Sequence, residues 1–64
     1  MINLGAKVKD RETGYEGVVT GRGEYLYHKP QVLVENMDST GRPTEYWYPE
    51  ERVYEITEQN KNNI

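Results

Sequence analysis

Gly14-Tyr15-Glu16-Gly17-Val18-Val19-Thr20-Gly21-Arg22-Gly23-Glu24-Tyr25-Leu26-Tyr27 is the stretch on which the fold turns. It opens on a turn glycine, is rich in β-branched and aromatic residues, and is interrupted by glycines that let a strand bend. A strand bent at Gly21 or Gly23 pairs with one neighbour along its start and another along its end. A very small all-β domain closes on itself in this way. Gly17 reads as a bulge or a close backbone approach. Val18, Val19 and Leu26 are the apolar anchors, and Tyr25 and Tyr27, two apart, share one face.

Upstream, residues 6–10 alternate small or apolar with charged side chains, the period-two pattern of a half-buried strand with Val8 inward and Lys7 and Lys9 outward. Residues 1–5 form a short lead whose Leu4 tucks against the core. Residues 11–14 make a turn whose last position, Gly14, suits positive φ. Downstream, His28-Lys29-Pro30 breaks the long strand, because proline has no ladder donor and keeps Lys29 extended. Residues 31–37 are the most continuous apolar strand, with Val32 and Val34 on one face and Leu33 and Met37 on the other. Two apolar faces imply a central position or a covering partner. Residues 38–43 are dense in turn formers and read as a hairpin loop. Residues 44–48 return as a strand, with Tyr46 and Tyr48 on one side and Trp47, read as core, on the other. Residues 49–52 allow a single tight turn, and residues 53–56 supply the last strand. Residues 57–64 are polar and unpatterned, which predicts a flexible C-terminal tail after one domain spanning 1–56.

Five short strands with turn signals between them predict an all-β fold, a small five-stranded SH3-like antiparallel barrel with a one-turn helix before the last strand. An open, strongly twisted sheet is the alternative. A chain of 64 residues buries only about 60% of the surface its unfolded form exposes. It has no cysteine to staple it, and its rings are six Tyr and one Trp with no Phe. Tyrosine sits best with one end dry and one wet, so these rings imply a half-exposed core edge or a binding face.

The charge balance, eleven acids against eight bases for a net −3, opposes broad binding of duplex nucleic acid, which needs a basic surplus. No apolar run approaches the ~20 residues that cross a bilayer, and residues 1–4 lack signal-peptide features. The chain reads as cytoplasmic. Catalysis finds little support. The single serine, Ser39, and the single histidine, His28, lie in different loops. One histidine gives no metal-ligand spacing, and no helix follows the glycines to make a phosphate loop. We therefore expect no enzyme, no cofactor and no metal. Binding is the stronger class, since aromatics and arginine dominate interface hot spots. The candidate partner-binding residues are Arg22, Tyr25, Tyr27, His28, Lys29, Arg42, Tyr46 and Tyr48. One version docks a protein on a tyrosine-rich, acidic face. The other stacks a nucleotide or nucleic-acid base on the rings, with arginine or lysine on phosphate. So small a chain gains from burying strand surface in a homodimer.

Val8-Lys9-Asp10 followed by Thr13-Gly14-Tyr15-Glu16-Gly17-Val18-Val19-Thr20-Gly21-Arg22 resembles the opening of small SH3-like, KOW-type proteins. With Tyr25-Leu26, residues 32–34, Trp47-Tyr48 and Glu50-Glu51-Arg52 in order, it resembles a group of short bacteriophage proteins of unassigned activity. It departs from them at Tyr27-His28-Lys29-Pro30, where many carry a small Gly-Cys-type turn. The resemblance implies a phage-encoded accessory protein acting inside the host cell, where such proteins often bind and block host defence factors.

Overall fold

The computed structural model describes residues 2–56. The expected tail, 57–64, lies outside the described residues. Among the described residues five strands are present: β1 (Lys7–Asp10), β2 (Glu16–Gly23), β3 (Gln31–Met37), β4 (Pro43–Pro49) and β5 (Val53–Glu55), with a 3-10 turn, Glu50–Arg52, before β5. All pair antiparallel in one sheet, in the order β4-β3-β2-β1-β5. The protein is therefore all-β, and among the described residues the outer strands β4 and β5 do not pair with each other.

The connection between those outer strands dictates the shape. In a flat sheet four strand spacings of ~4.8 Å would hold β4 and β5 roughly 19 Å apart. Only the turn Glu50–Arg52 separates Pro49 from Val53, a link that spans at most about 14 Å fully extended and less when coiled. The sheet must curl. Its concave face then collects one cluster from all five strands: Val8, Val19, Val32, Val34, Tyr48 and Val53, with Ile2, Ala6 and Tyr15 packed against it. Each valine contributes roughly 1.5 kcal/mol by burial, so a core this small tolerates few losses.

β2 does divide its pairing as its glycines imply, meeting β1 at 16–18 and β3 at 18–23. The irregularity falls at Thr20, between Val19 and Gly21, rather than at a glycine. It resets the alternation, so that Val19 and Arg22, three apart, lie opposite the inward-facing Val34 and Val32. Gly17 is a close approach: a Cβ there would overlap the Glu35 carbonyl oxygen and come within 2.8 Å of Val34 Cγ1. Gly21 leaves room on the other face, where a Cβ would lie 3.8 Å from the Trp47 indole. Gly14 takes φ +79 in the β1–β2 turn, as that turn requires.

Four expectations are corrected. β2 ends at Gly23, so Tyr25, Leu26 and Tyr27 belong to a loop and Leu26 anchors nothing. Leu4 is exposed. Trp47 is 51% exposed on the convex face, because it alternates along β4 with the inward Tyr48 and pairs with Leu33 rather than with the buried Val32 or Val34. Tyr48, expected on a binding face, is 8% exposed and belongs to the core. β3 holds the central place that its two apolar faces suggested, bonded to β2 on one side and β4 on the other.

The sheet is locked by a buried carboxylate. Asp10, 2% exposed, accepts hydrogen bonds from Arg52 Nε at 2.6 Å and Nη2 at 3.1 Å. It also accepts from the Thr13 N–H at 2.9 Å and from the Thr13 hydroxyl. The Arg52 guanidinium beside it holds the carboxyl far below the usual range, against the opposing pull of burial. Arg52 also stacks over the Tyr48 ring at 5.2 Å. The 3-10 turn is thus tied to β1 as well as to β5, and Arg11 N donates to Arg52 O at 3.0 Å.

Candidate functional site

Residues 24–30 join β2 to β3 and form the most exposed apolar feature among the described residues. Gly23 starts the loop. A Cβ there would strike the Tyr25 ring, its hydroxyl oxygen 2.5 Å away, so glycine lets that ring fold back on the strand end. Tyr25 also meets His28 edge-on, with ring centroids 6.4 Å apart. At the other end, Pro30 O accepts the Glu50 N–H at 3.0 Å, and Lys29 Nζ pairs with Glu51 at 2.8 Å. Both ends of the loop are pinned. Leu26 and Tyr27, at the tip, are 85% and 87% exposed.

Arg22 and Glu50 organise the base of this loop. Arg22 donates through Nη1 to Glu50 at 2.7 Å and to Ile2 O at 2.9 Å, and through Nη2 to Glu24 at 2.9 Å. Glu50 also accepts the Ile2 N–H at 2.6 Å. The Arg22 guanidinium, then that N–H, holds the Glu50 carboxyl below its ordinary value. Glu24, Glu50 and Glu51 therefore surround the base, with Arg22 and Lys29 between them.

A second aromatic group sits on the concave side. Tyr15 meets Tyr46 edge-on at 5.2 Å and Tyr48 at 6.0 Å. Its hydroxyl bonds the Thr44 side chain at 2.8 Å and donates to Thr44 O at 3.2 Å. With Thr13 and Gly14, these rings line a shallow cleft of about 460 Å³. A wider groove of about 720 Å³ runs past Lys7, Lys9, Glu16, Glu35, Tyr54 and Glu55; its mixed charges favour neither an anion nor a cation.

The structure gathers Arg22, Tyr25, Tyr27, His28 and Lys29 at one loop and its base. Tyr46 is half-exposed in the other group, and Tyr48 lies beneath it. Arg42 stands apart in the 38–43 hairpin, where Asp38 accepts its backbone N–H at 2.9 Å. Thr40 Oγ1 is the main cause holding the Asp38 carboxyl low. β3 separates that hairpin from the 24–30 loop, a span of roughly 20 Å for a strand of this length. Ser39 and His28 lie at those two ends, too far apart to act on one atom. No group of three or more His, Cys, Asp or Glu suited to a metal ion occurs among the described residues, and no helix among them is long and apolar enough to cross a membrane.

Sequence reasoning missed Leu26 and Tyr15 as surface-forming residues. A signal for Leu26 did exist. Three large apolar residues in a row, 25–27, break the period of two that a strand with one buried face keeps. Tyr15 gave no such signal, since its role depends on Thr44 and Tyr46, which are distant in the chain. The chain matches no protein-family profile, no curated protein and no solved structure.

Proposed function

We propose that this chain is a non-catalytic binding module, a phage-encoded accessory protein that docks on a host protein in the host cytoplasm and blocks it. The observation that carries the binding reading is the pair Leu26 and Tyr27, almost wholly exposed on a loop pinned at both ends. Exposing two large apolar side chains has a solubility cost, and a pinned loop loses little further entropy on docking. Glu24, Glu50 and Glu51 around the base suit a partner whose apolar groove is edged by basic side chains. The resemblance to short phage proteins supports the host-defence assignment. The SH3-like barrel reading is supported by the curl that the short β4–β5 link imposes and by a core shared among all the strands.

The nucleotide alternative asks for free cations beside the rings. Arg22 and Lys29 are engaged by carboxylates, and Arg42 is at the opposite end of β3. The protein-docking reading is therefore the one we retain.

Immobilised wild-type protein is expected to retain a stoichiometric partner from a lysate of the bacterial host. Leu26→Ala/Tyr27→Ala is expected to bind it roughly 100-fold more weakly, as paired hot-spot truncations do. Calorimetry with nucleotides should show no heat. Equal retention by the double variant, or a stoichiometric nucleotide, would refute this reading.

A further inference from the structure

We infer that the free edge of β4 pairs antiparallel with β4 of a second copy of this chain, about a two-fold axis at Tyr46. Every β3–β4 partner pair follows one register, in which Val34 faces Tyr46. At its two ends Glu50 N donates to Pro30 O and Asp38 N to Arg42 O. In an antiparallel ladder hydrogen-bonded pairs alternate with non-bonded ones. Thr44, Tyr46 and Tyr48 therefore direct their N–H and C=O toward β3. Pro43, Glu45, Trp47 and Pro49 direct theirs away from the sheet.

The free edge is consequently bracketed by prolines, which have no N–H to offer, with the donors of Glu45 and Trp47 between them. No backbone hydrogen bond from either N–H occurs outside the strand ladder among the described residues. The other edge, β5, is three residues long, and short edges resist pairing. β4 is seven residues long and carries exposed rings on both faces: Tyr46, 53% exposed, on the concave side and Trp47 on the convex side.

The strand is self-complementary in one register. Set antiparallel to itself about Tyr46, Glu45 faces Trp47 of the second copy, Thr44 faces Tyr48, and Pro43 faces Pro49. Glu45 and Trp47 then exchange N–H···O bonds with Trp47 and Glu45 of the other chain. No like charges stand directly opposite, whereas a shift that brought Glu45 opposite Glu45 would set two carboxylates together. The prolines limit pairing to the segment between them, and a two-fold contact of this kind closes on itself. The occupant that the edge fits is a second copy, giving a dimer with one continuous sheet. This is independent of the Leu26–Tyr27 tip, which leaves the sheet beyond the far end of β2.

Two measurements test it. The chain is short enough for chemical synthesis, so the Trp47 backbone nitrogen can be methylated, removing an edge donor while leaving every side chain and the β3–β4 ladder in place. Sedimentation of the wild type is expected to show a monomer–dimer equilibrium, and methylation to raise its dissociation constant by roughly 100-fold with the thermal melt of the dilute monomer unchanged. Separately, Tyr46→Cys is placed at a non-hydrogen-bonded pair, where Cα atoms lie about 4.5 Å apart and a disulfide is allowed. It should cross-link under air much faster than Met37→Cys, on the neighbouring strand. A wild type that stays monomeric at millimolar concentration, a dimer indifferent to the methyl group, or equal cross-linking at 46 and 37 would each overturn the proposal.

Discussion

Replacing Asp10 with alanine is expected to lower the melting temperature by roughly 20 °C, enough to leave much of a marginal domain unfolded at 37 °C. The carboxylate is sealed from water and satisfied from several directions, by Arg52 through two nitrogens and by the backbone and hydroxyl of Thr13. Truncation takes away an acceptor from each of these donors at once and leaves the Arg52 guanidinium over Tyr48 with only the more exposed Glu12 carboxylate, 3.6 Å away, as counter-charge. It also frees the 3-10 turn that carries the chain from β4 to β5. Asp10→Asn should do less damage, because its amide oxygen still accepts from Thr13. Arg52→Ala with Asp10→Ala should cost clearly less than the sum of the two single changes, the signature of a coupled pair. Thermal melts followed by near-ultraviolet dichroism decide this, and strict additivity would remove the lock from the account. The same group shapes the acid response. Its pKa is depressed in the folded state, as are those of Glu50 and Asp38. The stability they lend is therefore complete at neutral pH and drains away as pH falls below roughly 4. A melting temperature flat between pH 4 and pH 2 would contradict that.

The second large effect is expected at Gly17. Alanine there should destabilise the domain by about 3 kcal/mol, whereas alanine at Gly21, in the same strand, should be neutral or stabilising by up to about 1 kcal/mol. Strand propensity treats the two alike, and local space separates them. At Gly17 the added carbon would overlap the Glu35 carbonyl and sit 2.8 Å from Val34 Cγ1. Part of that obstacle is backbone, so relief requires β3 to shift against β2. At Gly21 the nearest atom is Leu33 Cβ at 3.4 Å, an ordinary contact. Denaturant titrations of the two variants give the comparison directly. Equal costs would mean that glycine's role in β2 is conformational rather than steric.

The strands were legible because their signals are local. Alternation in 6–10, the valines of 32–34 and the positive-φ position at Gly14 each depend on neighbours in sequence. Alternation also put Tyr46 and Tyr48 on one side of β4 and Trp47 on the other, as observed. Which of the two sides is the core was not legible, because that depends on the pairing with Val32 and Val34 of a distant strand. Trp47 was read as core because the chain has no Phe, yet it lies on the face opposite Tyr48. Asp10 reads as the polar end of a strand; its burial depends on Arg52, which approaches only after the sheet has curled. Of the candidate loop, Tyr25, Tyr27, His28 and Lys29 were singled out as aromatic and basic side chains beside Pro30, which ends a strand visibly. Leu26 between them was assigned to the interior.

The pinned 24–30 loop has a practical consequence. Its ends are fixed by Gly23, Tyr25, Lys29, Pro30 and the Arg22–Glu50 pair, while the side chains at 26 and 27 support nothing beneath them. Randomised libraries at those two codons should yield folded proteins almost without exception, so the chain would serve as a miniature display scaffold whose recognition sequence is exchanged like a cartridge.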